Sequence, residues 1–222
     1  MHIQIEKDIV DGVNFYITSQ NRMSFFLTKS CFIHTPKCAG RWIKGHLSQA
    51  CTVVGYNAEQ NHYAPTWEEL DGKKPFAFVR HPITWLASLH NHRMRKRGNW
   101  FPDRFPLEKT GHPNWHQFVK NVCEHENWIQ EYFDMHVGQY GDNIAIGKME
   151  NLEVELIRIL TELQEPFDRT KLEGKGKVMH KRSNIVNTMK RVNALSQKEK
   201  EMLYDTQRSA FEKYDYSLVN RF

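Results

Sequence analysis

The pattern of apolar and polar positions along the chain changes between two periods. Short apolar or β-branched runs bounded by polar residues predict strands, and apolar residues spaced three and four apart predict helices. The run P-F-A-F-V at residues 75–79 is typical of a strand buried on both faces. Strands are expected at residues 25–27, 31–35, 51–56 and 75–79. Residues 143–148 have a similar but weaker apolar pattern, and a strand is expected there too.

Helices are expected between these strands. Thr66-x-x-Glu69 and Ser196-x-x-Glu199 have the form of capping boxes. Pro82 suits the first position of a helix. The helices are expected at residues 41–50, after Thr66, from Pro82, at 115–123, at 128–137, after Asn151, and from Ser196 to about Lys213.

Strands that alternate with helices favour an α/β fold with a mostly parallel sheet. We expect one domain spanning residues 1–222, because no repeat or Gly/Ser-rich linker divides the chain. Residues 1–22 are expected to form an N-terminal extension with a hairpin turn at Asp11-Gly12, and residues 98–113 a surface loop. Ligands of such sheets bind at the carboxyl ends of the strands, so a site is expected after Thr35 and after Val79.

Composition narrows the class of protein. The 222 residues are 40% hydrophobic and 26% charged, which excludes collagen-like, mucin-like and wholly disordered chains. No apolar run approaches the roughly 20 residues of a membrane span, and residues 1–11 lack the layout of a signal peptide. We therefore expect a soluble cytoplasmic protein without a membrane partner and with four reduced cysteines.

Charge and metal-ligand spacing add two expectations. The net charge of +5 weakly favours an anionic partner, although it also serves solubility. No C-x-x-C pair and no Cys/His cluster has the spacing of a zinc site, so no metal is expected.

The first strand-to-helix turn reads H-T-P-K-C-A-G-R-W over residues 34–42. Small residues at Ala39 and Gly40 let the backbone approach a ligand. The N–H groups of Ala39, Gly40, Arg41 and Trp42 are expected to converge on an anion beside Lys37. The alternative is a tight turn with a solvated lysine. The pattern G-x-x-x-x-G-K-[ST] is absent, which argues against a magnesium-dependent NTPase.

The second turn reads F-V-R-H-P-I-T-W-L-A-S over residues 78–88. Arg80 ends a predicted strand, and Ser88 lies in the second turn of the next predicted helix. A guanidinium and a hydroxyl in these places could bind one phosphate. A capping arginine and a helix-surface serine would explain the same residues equally well.

Together these two turns resemble a known family. P-K-C-A-G after one strand and F-V-R-H-P-x5-S after another are similar to the two donor-binding motifs of sulfotransferases. The stretch N-H-Y-A-P-T-W-E-E-L at 61–70 and G-K-M-E-N-L at 147–152 resemble segments of the carbohydrate-type branch. Tyr204-Asp205 and F-x-x-Y-x-Y at 211–216 echo its last helix. The resemblance covers residues 31 to 216, and its first two motifs are the specific ones.

The resemblance implies a three-layer, P-loop-like fold with a central parallel sheet flanked by helices. It also implies a donor, 3′-phosphoadenosine 5′-phosphosulfate (PAPS), used without a metal. Lys37 and the backbone from Cys38 to Trp42 would bind its 5′-phosphosulfate, and Arg80 and Ser88 its 3′-phosphate. Arg182 lies where the family often has a second donor-contacting loop.

Two residues depart from the commonest form of the motifs. Cys38 stands where Ser or Thr is frequent, so a hydroxyl contact to phosphate is lost. Arg41 also stands where Thr or Ser is common, and could add charge near the 5′ end. Neither change removes the backbone N–H groups.

The same resemblance implies the chemistry. The sulfuryl group would pass in line to a hydroxyl or amine acceptor while Lys37 neutralises the leaving phosphate. His62 would be the general base, since a neutral imidazole near pH 7 suits that role. An ordinary loop histidine is the alternative. Other candidate bases are His34, Glu59, Glu68 and Glu69.

The acceptor is expected to be a carbohydrate or another small molecule, and the oligomeric state is left open. The basic run at residues 90–97 would either line the acceptor cleft or form a solvated helix end. Two other functions compete with the sulfotransferase. A P-loop-like nucleotide or small-molecule kinase would need a magnesium-binding loop, and none is visible. A nucleic-acid-binding module would need a helix-turn-helix, zinc-finger or RNP-type signature, and none is visible either. No nucleic-acid partner is therefore expected.

Overall fold

The computed structural model describes residues 24–56, 64–95, 110–174 and 182–218. The chain divides into two compact units, which are described separately. Unit 1 holds Met1–Val79 and His136–Met179, and unit 2 holds Arg80–Met135 and His180–Phe222. The predicted extension at 1–22 and most of the predicted loop at 98–113 lie outside the described residues. The expectation of a single domain stays a prediction.

Unit 1 is built on a mixed sheet of five strands in the order β3-β1-β2-β4-β5. Strands β2, β4 and β5 are parallel, while β1 is antiparallel to both β2 and β3. The predicted α/β class is therefore confirmed. The strands are β1 Ser24–Phe26, β2 Ser30–Ile33, β3 Gly55–Tyr56, β4 Lys74–Val79 and β5 Ala145–Lys148.

Helices flank this sheet and build unit 2. Unit 1 contains α1, α2 and α6, together with short 3-10 turns at Gly138–Tyr140, Met149–Asn151 and Arg169–Lys171. The remaining helices belong to unit 2, except for the last two residues of α5. The helices are α1 Gly40–Ala50, α2 Trp67–Leu70, α3 Pro82–Arg95, α4 Trp115–Cys123, α5 Trp128–Val137, α6 Leu152–Glu162, α7 Arg182–Ala194, α8 Gln197–Thr206 and α9 Arg208–Lys213. No helix in the described part of the chain is long and apolar enough to span a membrane.

The core of unit 1 follows the alternation of side chains along the strands. Cys31, Ile33 and Ala77 share one buried cluster with Leu70 of α2 and Tyr140. At Gly147 a side chain would collide with Phe78 and Ile159, because α6 packs closely on β5 there. Glycine in β5 is thus a packing requirement.

Unit 2 is held by aromatic rings and one buried amide. Trp85 of α3 is fully buried, with ring centroids 4.7 Å from Tyr132 and 5.2 Å from Phe133. Gln207 is also fully buried: its Oε1 accepts from the N–H of Ile129 at 3.0 Å, and its Nε2 donates to the carbonyl of His125 at 2.8 Å. The single helix expected from Ser196 to Lys213 is therefore wrong. It ends at Thr206 and restarts at Arg208, since Gln207 leaves helical geometry at φ −113° and ψ 22°.

Other predicted elements are confirmed or corrected. Helices α4 and α5 have the predicted bounds, and both capping boxes form. The predicted strand at 51–56 shortens to β3, because Cys51 makes only an isolated bridge to Phe167. Asn151 precedes α6 but makes no side-chain cap. Helix α7 was not predicted, and Arg182 begins it where a loop was expected.

Candidate functional site

The three parallel strands end at one edge of the sheet in unit 1. Ile33 of β2 lies opposite Ala77 of β4, and Val79 at the end of β4 lies opposite Lys148 of β5. Thr35 follows Ile33 by two residues, as Val79 follows Ala77, so the turn after β2 leaves the sheet at the level of the β4 and β5 ends. This is the edge at which parallel sheets bind ligands.

The turn from β2 into α1 contains two residues in the left-handed region. Lys37 has φ 66°, and Ala39, the residue before α1, has φ 61° and ψ 20°. Such a conformation costs a non-glycine residue about 1–2 kcal/mol. Strain of this kind collects at ligand-binding loops, where the neighbouring structure maintains it.

Three backbone N–H groups of this turn make no hydrogen bond to a backbone carbonyl in the described residues. The N–H of Trp42 donates to the carbonyl of Ala39 at 2.9 Å, and that of Cys38 to the carbonyl of Thr35 at 3.3 Å, so both are used within the turn. The N–H groups of Ala39, Gly40 and Arg41 donate to no backbone carbonyl in the described residues. Of the four N–H groups expected to face an anion, that of Trp42 is therefore already used within the turn.

Two buried side chains of the turn also lack partners. The Oγ1 of Thr35 and the Nε1 of Trp42 make no hydrogen bond within the described residues, although the two side chains are only 1% and 5% exposed. An unsatisfied buried polar group costs about 1–3 kcal/mol. Both groups can donate a hydrogen bond, and the Trp42 ring is stacked on His46 with centroids 4.0 Å apart. The N–H groups of the turn and Lys37 are donors of the same segment. A phosphate or sulfate oxygen is the acceptor that such a donor set fits.

Gly40 has a packing role that the sequence did not show. A side chain at this position would collide with the imidazole of His34, which lies against the glycine. The sequence alone favours the approach of a ligand as the reason for a small residue here. The described neighbour that requires it is His34, which is half-buried at the start of the same turn.

Cys38 is buried in this turn. Its side chain is 1% exposed, and its thiol donates to the carbonyl of Pro36 at 3.6 Å. The expected loss of a hydroxyl contact to phosphate stays a prediction.

Lys44 of α1 was missed by the sequence analysis. It is 4% exposed, and its Nζ lies 5.8 Å from the centroid of the Phe25 ring. Burial, together with the positive charge of Arg41, lowers the pKa of Lys44 from 10.5 to about 8. The sequence could have indicated this burial, because residues 40, 43, 44 and 47 are spaced as one buried helix face.

The second predicted turn lies at the start of α3 in unit 2. The Nε of Arg80 donates to the Oγ1 of Thr84 at 2.9 Å, and that hydroxyl donates to the carbonyl of His81 at 3.1 Å. The buried threonine therefore fixes the orientation of the guanidinium. Ser88 follows Thr84 by four residues and so lies on the same face of α3, half-buried. The spacing R-x3-T-x3-S could have revealed this contact between Arg80 and Thr84.

His81 is a structural residue of unit 2. It is 1% exposed, and its Nε2 is hydrogen-bonded to the carbonyl of Ser217 at 3.1 Å. The rings of Phe211 and Tyr216 pack edge-on against it with centroids 5.4 and 5.3 Å away. The aromatic pattern noted at 211–216 thus serves to attach the C-terminal segment.

Several candidate residues take no part in a described site. His62, Glu59 and the side chain of Arg182 lie outside the described residues. Glu69 accepts from the N–H of Thr66 at 2.7 Å in the capping box.

The first part of the basic run is buried. His90 is fully buried, and burial together with the charge of Arg191 lowers its pKa to about 4. Asn91 is buried as well, so these two residues are not solvated, while the two alternatives for the rest of the run stay open. Residues 96 and 97 lie outside the described part.

Comparisons with known proteins found no relative of this chain. No protein-family model, curated protein or solved structure matches the chain significantly. Among the described residues, no group of three or more His, Cys, Asp or Glu side chains could hold a metal ion.

Proposed function

We propose that this chain is a PAPS-dependent sulfotransferase that transfers a sulfuryl group to a hydroxyl or amine acceptor, a carbohydrate or another small molecule. The observation that carries the proposal is the turn between β2 and α1. It combines left-handed backbone at Lys37 and Ala39 with N–H groups that donate to no backbone carbonyl in the described residues. The side chains of Thr35 and Trp42 also lack hydrogen-bond partners there. This donor-rich turn fits the 5′-phosphosulfate of PAPS.

Each end of the donor is assigned to a separate set of residues. Lys37 and the backbone of the turn before α1 bind the 5′-phosphosulfate. Arg80, oriented by Thr84, and Ser88 bind the 3′-phosphate, which the Arg80–Thr84 hydrogen bond of 2.9 Å supports. Arg182 is proposed as a second cation for that phosphate.

The fold supports the same proposal in outline. Strands β2, β4 and β5 are parallel, and helices follow β2, β4 and β5 directly or after a short turn. We propose that this is the core of a three-layer, P-loop-like fold. The ends of such strands are where phosphate-binding turns form.

PAPS supplies the sulfuryl group, and adenosine 3′,5′-bisphosphate is the product that leaves. Lys37 places a positive charge where the bridging oxygen gains negative charge, which stabilises the transition state more than the ground state. His62 accepts the proton of the acceptor hydroxyl or amine. Thr84 holds the Arg80 guanidinium in one orientation, so less side-chain entropy is lost when phosphate binds.

The role of His62 is tested by following transfer from PAPS labelled in its sulfuryl group to a panel of glycans, phenols and peptides. His62→Ala should lower turnover at least a hundredfold, the usual worth of a general base, and leave the affinity for adenosine 3′,5′-bisphosphate unchanged. His125→Ala, a substitution at a half-exposed histidine of unit 2, is the matched control and should retain full turnover. Turnover within tenfold of the unmodified protein would show that His62 is not the base.

A further inference from the structure

Unit 2 contains an open cleft of about 830 Å³ that the proposed donor contacts do not use. We name it the α4–α8 cleft, because the polar face of α4 forms one wall and α8 the other. Its principal polar side chains are His112, His116, Gln117, Lys120, Asn121 and Glu199.

A fixed imidazole–carboxylate pair lies in this cleft. The Nδ1 of His116 is 2.7 Å from Oε1 of Glu199, and Oε2 of the same carboxylate accepts from the N–H and the hydroxyl of Ser196 at 2.8 and 2.7 Å. Burial raises the pKa of Glu199, but the hydrogen bonds from His116 and Ser196 outweigh it and hold the pKa below its ordinary value. The carboxylate is therefore charged at neutral pH and orients the ring, leaving the Nε2 side of a half-exposed imidazole directed away from it.

Lys120 adds a positive charge on the same face of α4. It follows His116 by four residues, so the two side chains are neighbours on the helix surface. No acidic side chain in the described ranges forms an ion pair with Lys120. The one carboxylate that lines the cleft, Glu199, is bound to His116 and Ser196.

The amides of the cleft also offer donors. Gln117 Nε2 donates to Asn121 Oδ1 at 2.7 Å, and Asn121 Nδ2 donates to the carbonyl of Thr110 at 3.3 Å. A carboxamide nitrogen carries two N–H groups, so each keeps a second one. Lys120 and these N–H groups are the donors of the cleft. The neutral His116 ring, which donates its Nδ1–H to Glu199, has an acceptor at Nε2 and becomes a donor there when it is protonated.

We propose that the α4–α8 cleft binds an oxyanion, a sulfate, phosphate or carboxylate group of a small ligand, through Lys120 and the second N–H groups of Gln117 and Asn121, with Nε2–H of His116 as a further charged donor when the ring is protonated. Hydrogen bonds between charged donors and an oxyanion are the strong ones, and two of them on adjacent helical turns can bind one group. The proposal does not depend on the sulfotransferase assignment, since the two sites share no residue.

The test is an NMR titration of the His116 imidazole in the full chain without nucleotide. Sodium sulfate, sodium phosphate and sodium glucuronate are added in separate arms at constant ionic strength. We expect a saturable shift of the His116 resonance in at least one arm. The arm with the lowest dissociation constant identifies the oxyanion. Lys120→Gln should weaken that binding about tenfold, the loss of one charged hydrogen bond.

Lys171→Gln is the matched control, because Lys171 is an exposed lysine of unit 1 that does not line the cleft. It should leave the titration unchanged, and equal unfolding midpoints would show that both variants fold. The proposal is overturned if no arm gives a saturable shift, or if Lys120→Gln binds as tightly as the unmodified chain.

Discussion

At the scale of single residues, the turn before α1 contains backbone conformations and unpartnered buried polar groups that are unfavourable for folding. Lys37 and Ala39 are left-handed, and the Thr35 hydroxyl is buried without a described partner. Each of these features costs on the order of 1–3 kcal/mol. Under the proposed function, an oxyanion bound at this turn would accept hydrogen bonds from the unpartnered donors.

Lys44 allows a direct test of a buried charge. In the unfolded chain its ammonium keeps its proton until about pH 10.5, whereas in the folded chain its pKa is about 8. Between these values the unfolded state binds more protons, so the contribution of Lys44 makes stability rise with pH. A shift of this size corresponds to about 3 kcal/mol. Lys44→Met should therefore be more stable than the unmodified chain at pH 7, and the difference should shrink by about 2–3 kcal/mol by pH 10.5.

The measurement is urea unfolding of both proteins across this pH range, with Lys171→Met as a control at an exposed site. The control should keep the pH dependence of the unmodified protein. A constant difference between Lys44→Met and the unmodified chain would show that Lys44 keeps an ordinary pKa in the folded state.

The sequence indicated where the turn is, but not how it is built. P-K-C-A-G after an apolar run placed Lys37 and Gly40 at a strand-to-helix corner, because small residues and a helix start leave a local pattern. The packing of His34 on Gly40 depends on a side-chain conformation, and the burial of Lys44 depends on β1. Tertiary contacts of this kind have no signature in residue order.

At the scale of elements, the prediction succeeded where the pattern is local. Helices α4 and α5 and both capping boxes match, since apolar spacing and caps are read within one turn. Strand pairing is non-local, so the antiparallel addition of β1 and β3 to the sheet could not be read from their sequences. Helix α7 was missed because its sequence is rich in polar and β-branched residues, which give a weak helical signal.

Glu165 holds the tight turn between β1 and β2. Its carboxylate is 4% exposed and accepts from the N–H groups of Thr28 and Lys29 at 3.0 and 2.8 Å and from the hydroxyl of Ser30 at 2.8 Å. Glu165→Ala would leave these donors without their acceptor, so we expect a loss of about 2–4 kcal/mol in the free energy of unfolding. Glu162→Ala, which breaks an exposed pair with Arg158, should cost no more than about 1 kcal/mol. Equal losses in urea unfolding would contradict the role of Glu165.

At the scale of the whole molecule, the central claim is that one adenosine donor is bound by two turns that are distant in sequence. The proposal gives the two turns different parts of the donor to bind. Substitutions in them should therefore respond differently to ligands that lack one of its phosphates.

Calorimetric titration of the unmodified chain, Lys37→Ala and Arg80→Ala with adenosine 3′,5′-bisphosphate and with adenosine 5′-monophosphate tests this claim most directly. Lys37→Ala should weaken both ligands about tenfold or more, whereas Arg80→Ala should weaken only the bisphosphate, because the monophosphate has no 3′-phosphate. ATP with magnesium should bind less tightly than the bisphosphate. Equal losses for both ligands in Arg80→Ala, or a preference for ATP with magnesium, would contradict the account.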